Sequence, residues 1–128
     1  MNLHLTKALA ATLLFAAAVT TQALDIKPYS AAALADAQKA NRPVALHFHA
    51  SWCPTCRAQD HAFQALQSDK TLNVTVLQAD YDTETALKQK LGVQAQSTLI
   101  VYHGAVEKTR ATGETDTEKL RTLLKTAL

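Results

Sequence analysis

Cysteine occurs twice in this chain, as Cys53 and Cys56, with Pro54 and Thr55 between them. A bridge across two intervening residues closes a very small loop and removes little entropy from the unfolded chain, so stabilisation is a poor reason for the pair to exist. Reversible thiol–disulfide exchange is a better one, and it requires a thiolate, the only form that attacks a disulfide. The segment that follows, to about Ser68, has helical periodicity. Cys53 then stands just before the first turn. Pro54 lies inside it, where a missing N–H costs nothing. Unpaired N–H groups and the positive end of the helix favour the thiolate there, lowering a cysteine pKa from about 8.5 into the range of roughly 3.5–7.5. Cys56 falls one turn on, on a face shared with Phe63 and Leu66, which predicts a buried, less acidic sulfur. Cys53 is thus expected to be the exposed, attacking sulfur and Cys56 the resolving one, and Thr55 can offer a hydroxyl to the thiolate. Zinc is the competing use of a C-x-x-C pair, but a second pair of cysteines is missing.

The elements that position this pair follow from pattern. Ser30 can cap a helix over residues 31–40 that Asn41-Arg42-Pro43 ends. Residues 44–50 (VALHFHA) read as a strand, with Val44, Leu46 and Phe48 on one face and Ala45, His47 and His49 on the other. Strands are also expected over 72–79, 97–102 and 105–111, the last polar enough for a sheet edge. A short helix over 83–91 stops at Gly92. Thr115-Asp116-Thr117-Glu118 has capping-box spacing and opens a last helix with Leu120, Leu123, Leu124 and Ala127 on one stripe. The order predicts an α/β fold: a mixed four-stranded sheet flanked by helices on both faces.

The chain of 128 residues suits one domain, and 48% hydrophobic against 19% charged residues is a composition that packs a core. Net charge is +2 and no basic cluster occurs, which disfavours nucleic acid as a partner. Lys7, the apolar run Ala8–Val19 and the small residues of Thr21-Gln22-Ala23 form the three-part pattern of a secretory signal peptide, residues 1–23, followed by a domain over 24–128. A membrane anchor is the competing reading, but spanning takes roughly 20 apolar residues, so no stable insertion is expected after cleavage. The destination is then periplasmic or secreted, an oxidising setting.

Residues 43–56 (PVALHFHASWCPTC) resemble the thioredoxin active-site strand and its W-C-x-x-C motif. Residues 92–104 (GVQAQSTLIVYHG) resemble that family's G-[VI]-x-x-x-P-T-L-hydrophobic strand and turn, and Gly113 matches the glycine before its last helix. The resemblance spans nearly all of residues 28–128. It implies the thioredoxin-like fold and dithiol–disulfide exchange with protein substrates, without a separate cofactor. In the family, substrate backbone pairs with the loop before the third of these strands as an added strand. Gln96 and Ser97 therefore join Trp52, Pro54 and Thr55 as candidate substrate contacts.

Two positions depart from the family pattern. His47 takes the place of a buried Asp that helps the resolving cysteine lose its proton. A neutral, buried imidazole can accept that proton, which makes His47 a candidate catalytic residue beside its alternative as a satisfied core histidine. Ser97 takes the place of a cis-proline that faces the cysteines. A cis bond before a non-proline residue costs about 2.5–4 kcal/mol, so Gln96–Ser97 is expected to be trans, with the backbone before the sulfurs shifted. Trp52 reads as a substrate-contacting surface or a core aromatic. His49, His61 and Arg57 read as ordinary polar positions, and Asp80, Asp82 and Glu84 as a loop and helix-start cluster.

Two functions compete. One is a monomeric, exported thiol–disulfide oxidoreductase with an unidentified redox partner, leaning to reduction because the chain has no room for an inserted helical domain. The other is a metal-handling protein on the same fold, using Cys53, Cys56 and a nearby histidine for a soft ion such as Cu(I).

Overall fold

Strand β2 (Pro43–His49) runs through the middle of the molecule, and every residue from Val44 to Phe48 is buried. It belongs to a computed structural model that describes residues 23–128, so the expected leader, Ala23 apart, lies outside the described residues. In chain order the elements are β1 (Asp25–Pro28), α1 (Ala31–Lys39), β2, α2 (Pro54–Leu66), β3 (Thr75–Asp80), α3 (Thr85–Leu91), β4 (Thr98–His103), β5 (Val106–Thr112) and α4 (Thr117–Lys125). The sheet order is β1-β3-β2-β4-β5. β1 and β2 pair parallel with β3, while β4 pairs antiparallel with β2 and with β5.

The sheet has five strands rather than the predicted four. The addition, β1, is four residues long at the edge, with only Asp25 and Ile26 partly buried. It ends at Pro28, which an edge tolerates because no neighbour needs its missing N–H. The Asp25 N–H donates to the Val74 carbonyl at 3.0 Å and the Tyr29 N–H to the Gln78 carbonyl at 2.8 Å, fixing the segment beside β3. β3 itself begins at Thr75 rather than Leu72. Leu72 and Val74 are still buried, as core residues of the approach to the strand.

The alternation of β2 sorts the core into two layers. Val44, Leu46 and Phe48 pack with Leu77, Ala79, Ile100 and Tyr102 beneath α1 and α3. Ala45 packs on the opposite side with Val76, Leu99 and Val101, against Phe63 and Leu66 of α2 and Leu120 and Leu124 of α4. Caps fix the helix ends. The Ser30 hydroxyl accepts from the Ala33 N–H at 3.0 Å. Gly92 closes α3 in the left-handed conformation, φ 66°, as a C-terminal glycine does. The N-cap of α4 is Asp116, accepting from the Lys119 N–H at 2.9 Å, one residue past the Thr115 that capping-box spacing suggests. Glu114 instead caps its own loop, accepting from the N–H groups of Thr115 and Asp116. Among the described residues no helix is long and apolar enough to cross a membrane.

Candidate active site

The site forms where β2 hands over to α2 and the loop before β4 comes up beside them. Cys53 is the N-cap of α2 and Pro54 occupies the first turn, as the sequence predicts. The Cys53 sulfur accepts from the Cys56 backbone N–H at 3.1 Å, which puts a fixed donor on it. Both cysteines are free thiols and both are buried. Cys53, expected to be exposed, is only 1% exposed. The reason is local: Ala50, Cys56 and Tyr81 pack around it, and the Ser97 loop closes over the sulfurs.

Ser97 makes the decisive contact. Its hydroxyl oxygen lies 3.2 Å from the Cys53 sulfur and 3.1 Å from the Cys56 sulfur. A hydroxyl has one hydrogen to give and lone pairs to receive another. It can thus donate to a Cys53 thiolate while accepting from the Cys56 thiol. Burial raises the Cys53 pKa, but the hydrogen bonds from Cys56, from the Ser97 hydroxyl and from the backbone N–H groups of Cys56 and Thr55 outweigh it and hold the thiol below its ordinary value. Burial and the neighbouring Cys53 push Cys56 the other way, above its ordinary value. The hydroxyl on the thiolate is therefore that of Ser97. Thr55, the sequence candidate, contributes its backbone N–H.

Ser97 has a trans peptide bond, as its residue type predicts, and an unusual backbone, φ 62°. Its N–H donates to the Phe48 carbonyl at 2.8 Å, a bond proline cannot make. Its carbonyl accepts from the Gly113 N–H at 3.0 Å and from the Gln59 amide at 3.1 Å.

His47 is fully buried. Its Nε2 lies 2.7 Å from Gln59 Oε1, and its ring packs edge-on against Phe63 and His49. Nδ1 has no partner and faces Asp60 Oδ1 at 4.0 Å. Burial, only partly offset by Gln59 and Asp60, lowers its pKa to about 4, so the ring is neutral near pH 7. Its polar contact is with Gln59 rather than with either sulfur. His49 pairs with Asp60 at 2.8 Å, and Asp60 also accepts from Gln78 at 3.0 Å.

At the rim, Trp52 is 55% exposed, which makes it a surface residue rather than a core aromatic. Its indole N–H donates to Asp82 at 2.8 Å. Asp80 caps the same loop by accepting from the Asp82 N–H. Pro54 is exposed, while Thr55 and Gln96 are partly buried beside the pair. His61 lies exposed on α2, and Arg57 reaches the Ser51 carbonyl at 3.2 Å.

Gln59 is the residue that motif reading passes over. Its signal is a polar side chain inside the apolar stripe Cys56, Phe63 and Leu66, three residues after Cys56. Tyr81, packed on the cysteines with its hydroxyl donating to the Gln94 carbonyl at 3.2 Å, belongs to no motif either.

Residues 27–126 match the family model described as thioredoxin. A thioredoxin H-type from Chlamydomonas reinhardtii is 29% identical over 101 residues, which cover 79% of this chain and 88% of the relative. Among solved structures, Trxlp from Edwardsiella tarda EIB202 is similar with a TM-score of 0.72 at 35% identity, over 78% of this chain and 98% of that one. Thioredoxin O2 from Arabidopsis thaliana, in its oxidized state, gives a TM-score of 0.65 at 27% identity, over 81% and 93%. With a W-C-P-T-C site at the head of α2 and a family match across nearly the whole described domain, this chain belongs to the thioredoxin family and is a protein thiol–disulfide oxidoreductase.

Proposed function

We propose that this protein exchanges the Cys53–Cys56 dithiol with protein disulfides outside the cytoplasm, with Cys53 as nucleophile, Cys56 as resolving thiol and Ser97 as the hydroxyl that serves both. The observation that carries this reading is the one oxygen within 3.2 Å of the Cys53 sulfur and 3.1 Å of the Cys56 sulfur. The Cys53 thiolate attacks a substrate disulfide, one substrate thiolate leaves, and a mixed disulfide forms. Cys56, hydrogen-bonded to the Ser97 hydroxyl, then gives its proton to the substrate thiolate released in the first attack and attacks the Cys53 sulfur. The second substrate thiolate leaves, and the enzyme becomes the disulfide while the substrate becomes the dithiol. Trp52, Pro54, Thr55 and Gln96 form the rim that meets the substrate chain.

His47 supports this chemistry through Gln59. Its Nε2–H is committed there, so a proton from Cys56 has no direct hydrogen bond to follow to the ring. Location rests on the signal pattern of residues 1–23. Direction rests on two features that oppose each other. The likeness to thioredoxins across residues 27–126 favours a reductase reset by a dedicated electron donor. The Ser97 hydroxyl stabilises the thiolate, and with it the dithiol form, which makes the disulfide a stronger oxidant than the same pair without the hydroxyl. Among the described residues no group of three or more His, Cys, Asp or Glu is arranged to hold a metal ion.

The test is the reduction potential of the pair, equilibrated against glutathione. A value near the roughly −270 mV of a reducing pair supports reductase action, and one near the roughly −120 mV of a strong oxidant reverses the direction. Absence of any exchange with a protein disulfide such as insulin would sink the reading itself. Recovery of the exported chain with Met1 still attached would sink the leader.

A further inference from the structure

The exchange proposed above needs the Ser97 hydroxyl held against two sulfurs, and we infer that Gln59 is the positioning residue that holds it there. The inference rests on that reading of Ser97. Gln59 is fully buried, and its amide spans three parts of the molecule. The Nε2 group donates to the Ser97 carbonyl at 3.1 Å and to the Glu114 carbonyl at 2.9 Å. Carbonyls only accept, so these two contacts fix which end of the amide is nitrogen. Oε1 therefore faces His47 and accepts from its Nε2–H at 2.7 Å. Gln59 thereby sets the tautomer of His47 as well as the place of Ser97.

The clamp matters because Ser97 sits at φ 62°, in the left-handed region that residues with a β-carbon enter at a cost. Left to itself the loop relaxes to negative φ and carries the hydroxyl off the sulfurs. Three bonds oppose this. Two are backbone bonds, Ser97 N–H to Phe48 and Gly113 N–H to Ser97. The third is Gln59, the one contributed by a side chain and so the one that substitution can tune. The titratable groups around Cys53 and the clamp are Cys56 and Asp60 from α2, His47 and His49 from β2, Tyr81 from the turn after β3 and Glu114 from the loop before α4. All of these are retained in the variants below.

The test uses the reduced full chain and follows the pH dependence of alkylation at Cys53, with the labelled sulfur identified by mass spectrometry. Gln59→Met keeps the volume and removes the donors. The midpoint is expected to rise by about one pH unit, roughly a tenfold loss of thiolate below it. Ser97→Ala should give a similar rise. In the double variant, Gln59→Met should add less than about 0.3 unit, because its effect runs through a hydroxyl no longer present. An unmoved midpoint in Gln59→Met overturns the inference. So does a full additional shift in the Ser97→Ala background, which would make Gln59 a packing residue acting elsewhere. If Gln59→Met does not fold, Gln59→Asn replaces it, an amide one methylene too short to reach both carbonyls, with the same two outcomes deciding. Failure to reduce insulin with a normal alkylation profile would strike the proposed exchange and spare Gln59.

Discussion

The two faces of β2 are built from the same strand to opposite specifications. Towards α1 and α3 it presents Val44, Leu46 and Phe48, all fully buried among apolar partners. Towards α2 and α4 it begins the same way with Ala45, then places the buried imidazole of His47 and the half-buried His49. From there a line of hydrogen bonds runs through Gln59 to the Ser97 backbone, whose hydroxyl reaches the two sulfurs. One face holds the fold together by area removed from water. The other gives up part of that burial for a polar seam in which Gln59 and Ser97 are paired while His47 Nδ1 is left without a partner, 4.0 Å from Asp60. The hydrogen bonds that reach the redox site therefore come from one side of the sheet, while Tyr81 packs on it from the other layer. Substitutions on the two sides should separate stability from reactivity.

The largest separation is in activity. Cys53→Ser should abolish exchange with a protein disulfide while leaving the fold intact. Cys56→Ser should keep attack and accumulate mixed disulfides, visible as covalent adducts by mass spectrometry. Both sulfurs are buried, so the assignment rests on their opposite pKa directions rather than on exposure. Faster alkylation of Cys56 than of Cys53 at neutral pH would reverse the roles.

On the apolar face, Leu46→Ala leaves a cavity under α1 and α3. Urea unfolding should show a loss of about 2–5 kcal/mol. The alkylation midpoint of Cys53 should not move in the folded variant, since Leu46 has no polar path to the sulfurs. A shifted midpoint would mean that the two faces are mechanically linked and the comparison is drawn too sharply.

His47 makes the polar face sensitive to acid. Its folded pKa of about 4 lies below the ordinary histidine value of 6.5, so between those values the unfolded chain binds more protons and stability falls as pH falls. The loss amounts to roughly 3 kcal/mol from neutral pH down to pH 4. His47→Leu leaves Gln59 Oε1 unpaired, a cost of about 1–3 kcal/mol at any pH. It should flatten this part of the pH dependence. Urea midpoints for both proteins at pH 7 and pH 4.5 measure it, and parallel losses in the two would remove His47 as the source.

Much of this arrangement is legible in the sequence. Period-two alternation assigns the faces of β2, Pro54 and the apolar stripe locate the start of α2, and the W-C-P-T-C run carries the chemistry. Three things escape for physical reasons. β1 is four residues with a proline and two charges, and an edge strand that only partly buries Asp25 and Ile26 has no alternation to read. Gln59 is a common residue type whose meaning lies in partners 12, 38 and 55 positions away along the chain. The burial of Cys53 depends on how far the Ser97 loop reaches over it, a distance set by a left-handed residue that is not glycine. Ser97 itself is visible as a departure from the family pattern. The contact of its hydroxyl with both sulfurs appears only when the loop is placed.

The smallest effect divides Ser97 into its backbone and its side chain. A non-glycine residue in the left-handed region costs about 1–2 kcal/mol, while glycine enters it freely. Ser97→Gly and Ser97→Ala both remove the hydroxyl from the sulfurs. Only glycine removes the strain, at a partial cost in unfolded-chain entropy. The two variants should therefore share one raised alkylation midpoint at Cys53, while the glycine variant unfolds later in urea than the alanine variant, by up to about 1 kcal/mol. Equal stabilities would mean that the surrounding bonds to Phe48, Gly113 and Gln59 hold the same φ without strain. Different midpoints would mean that the backbone rather than the hydroxyl governs the thiolate. In that case the tuning belongs to the path of the loop, and the polar face acts on the sulfurs by shaping it.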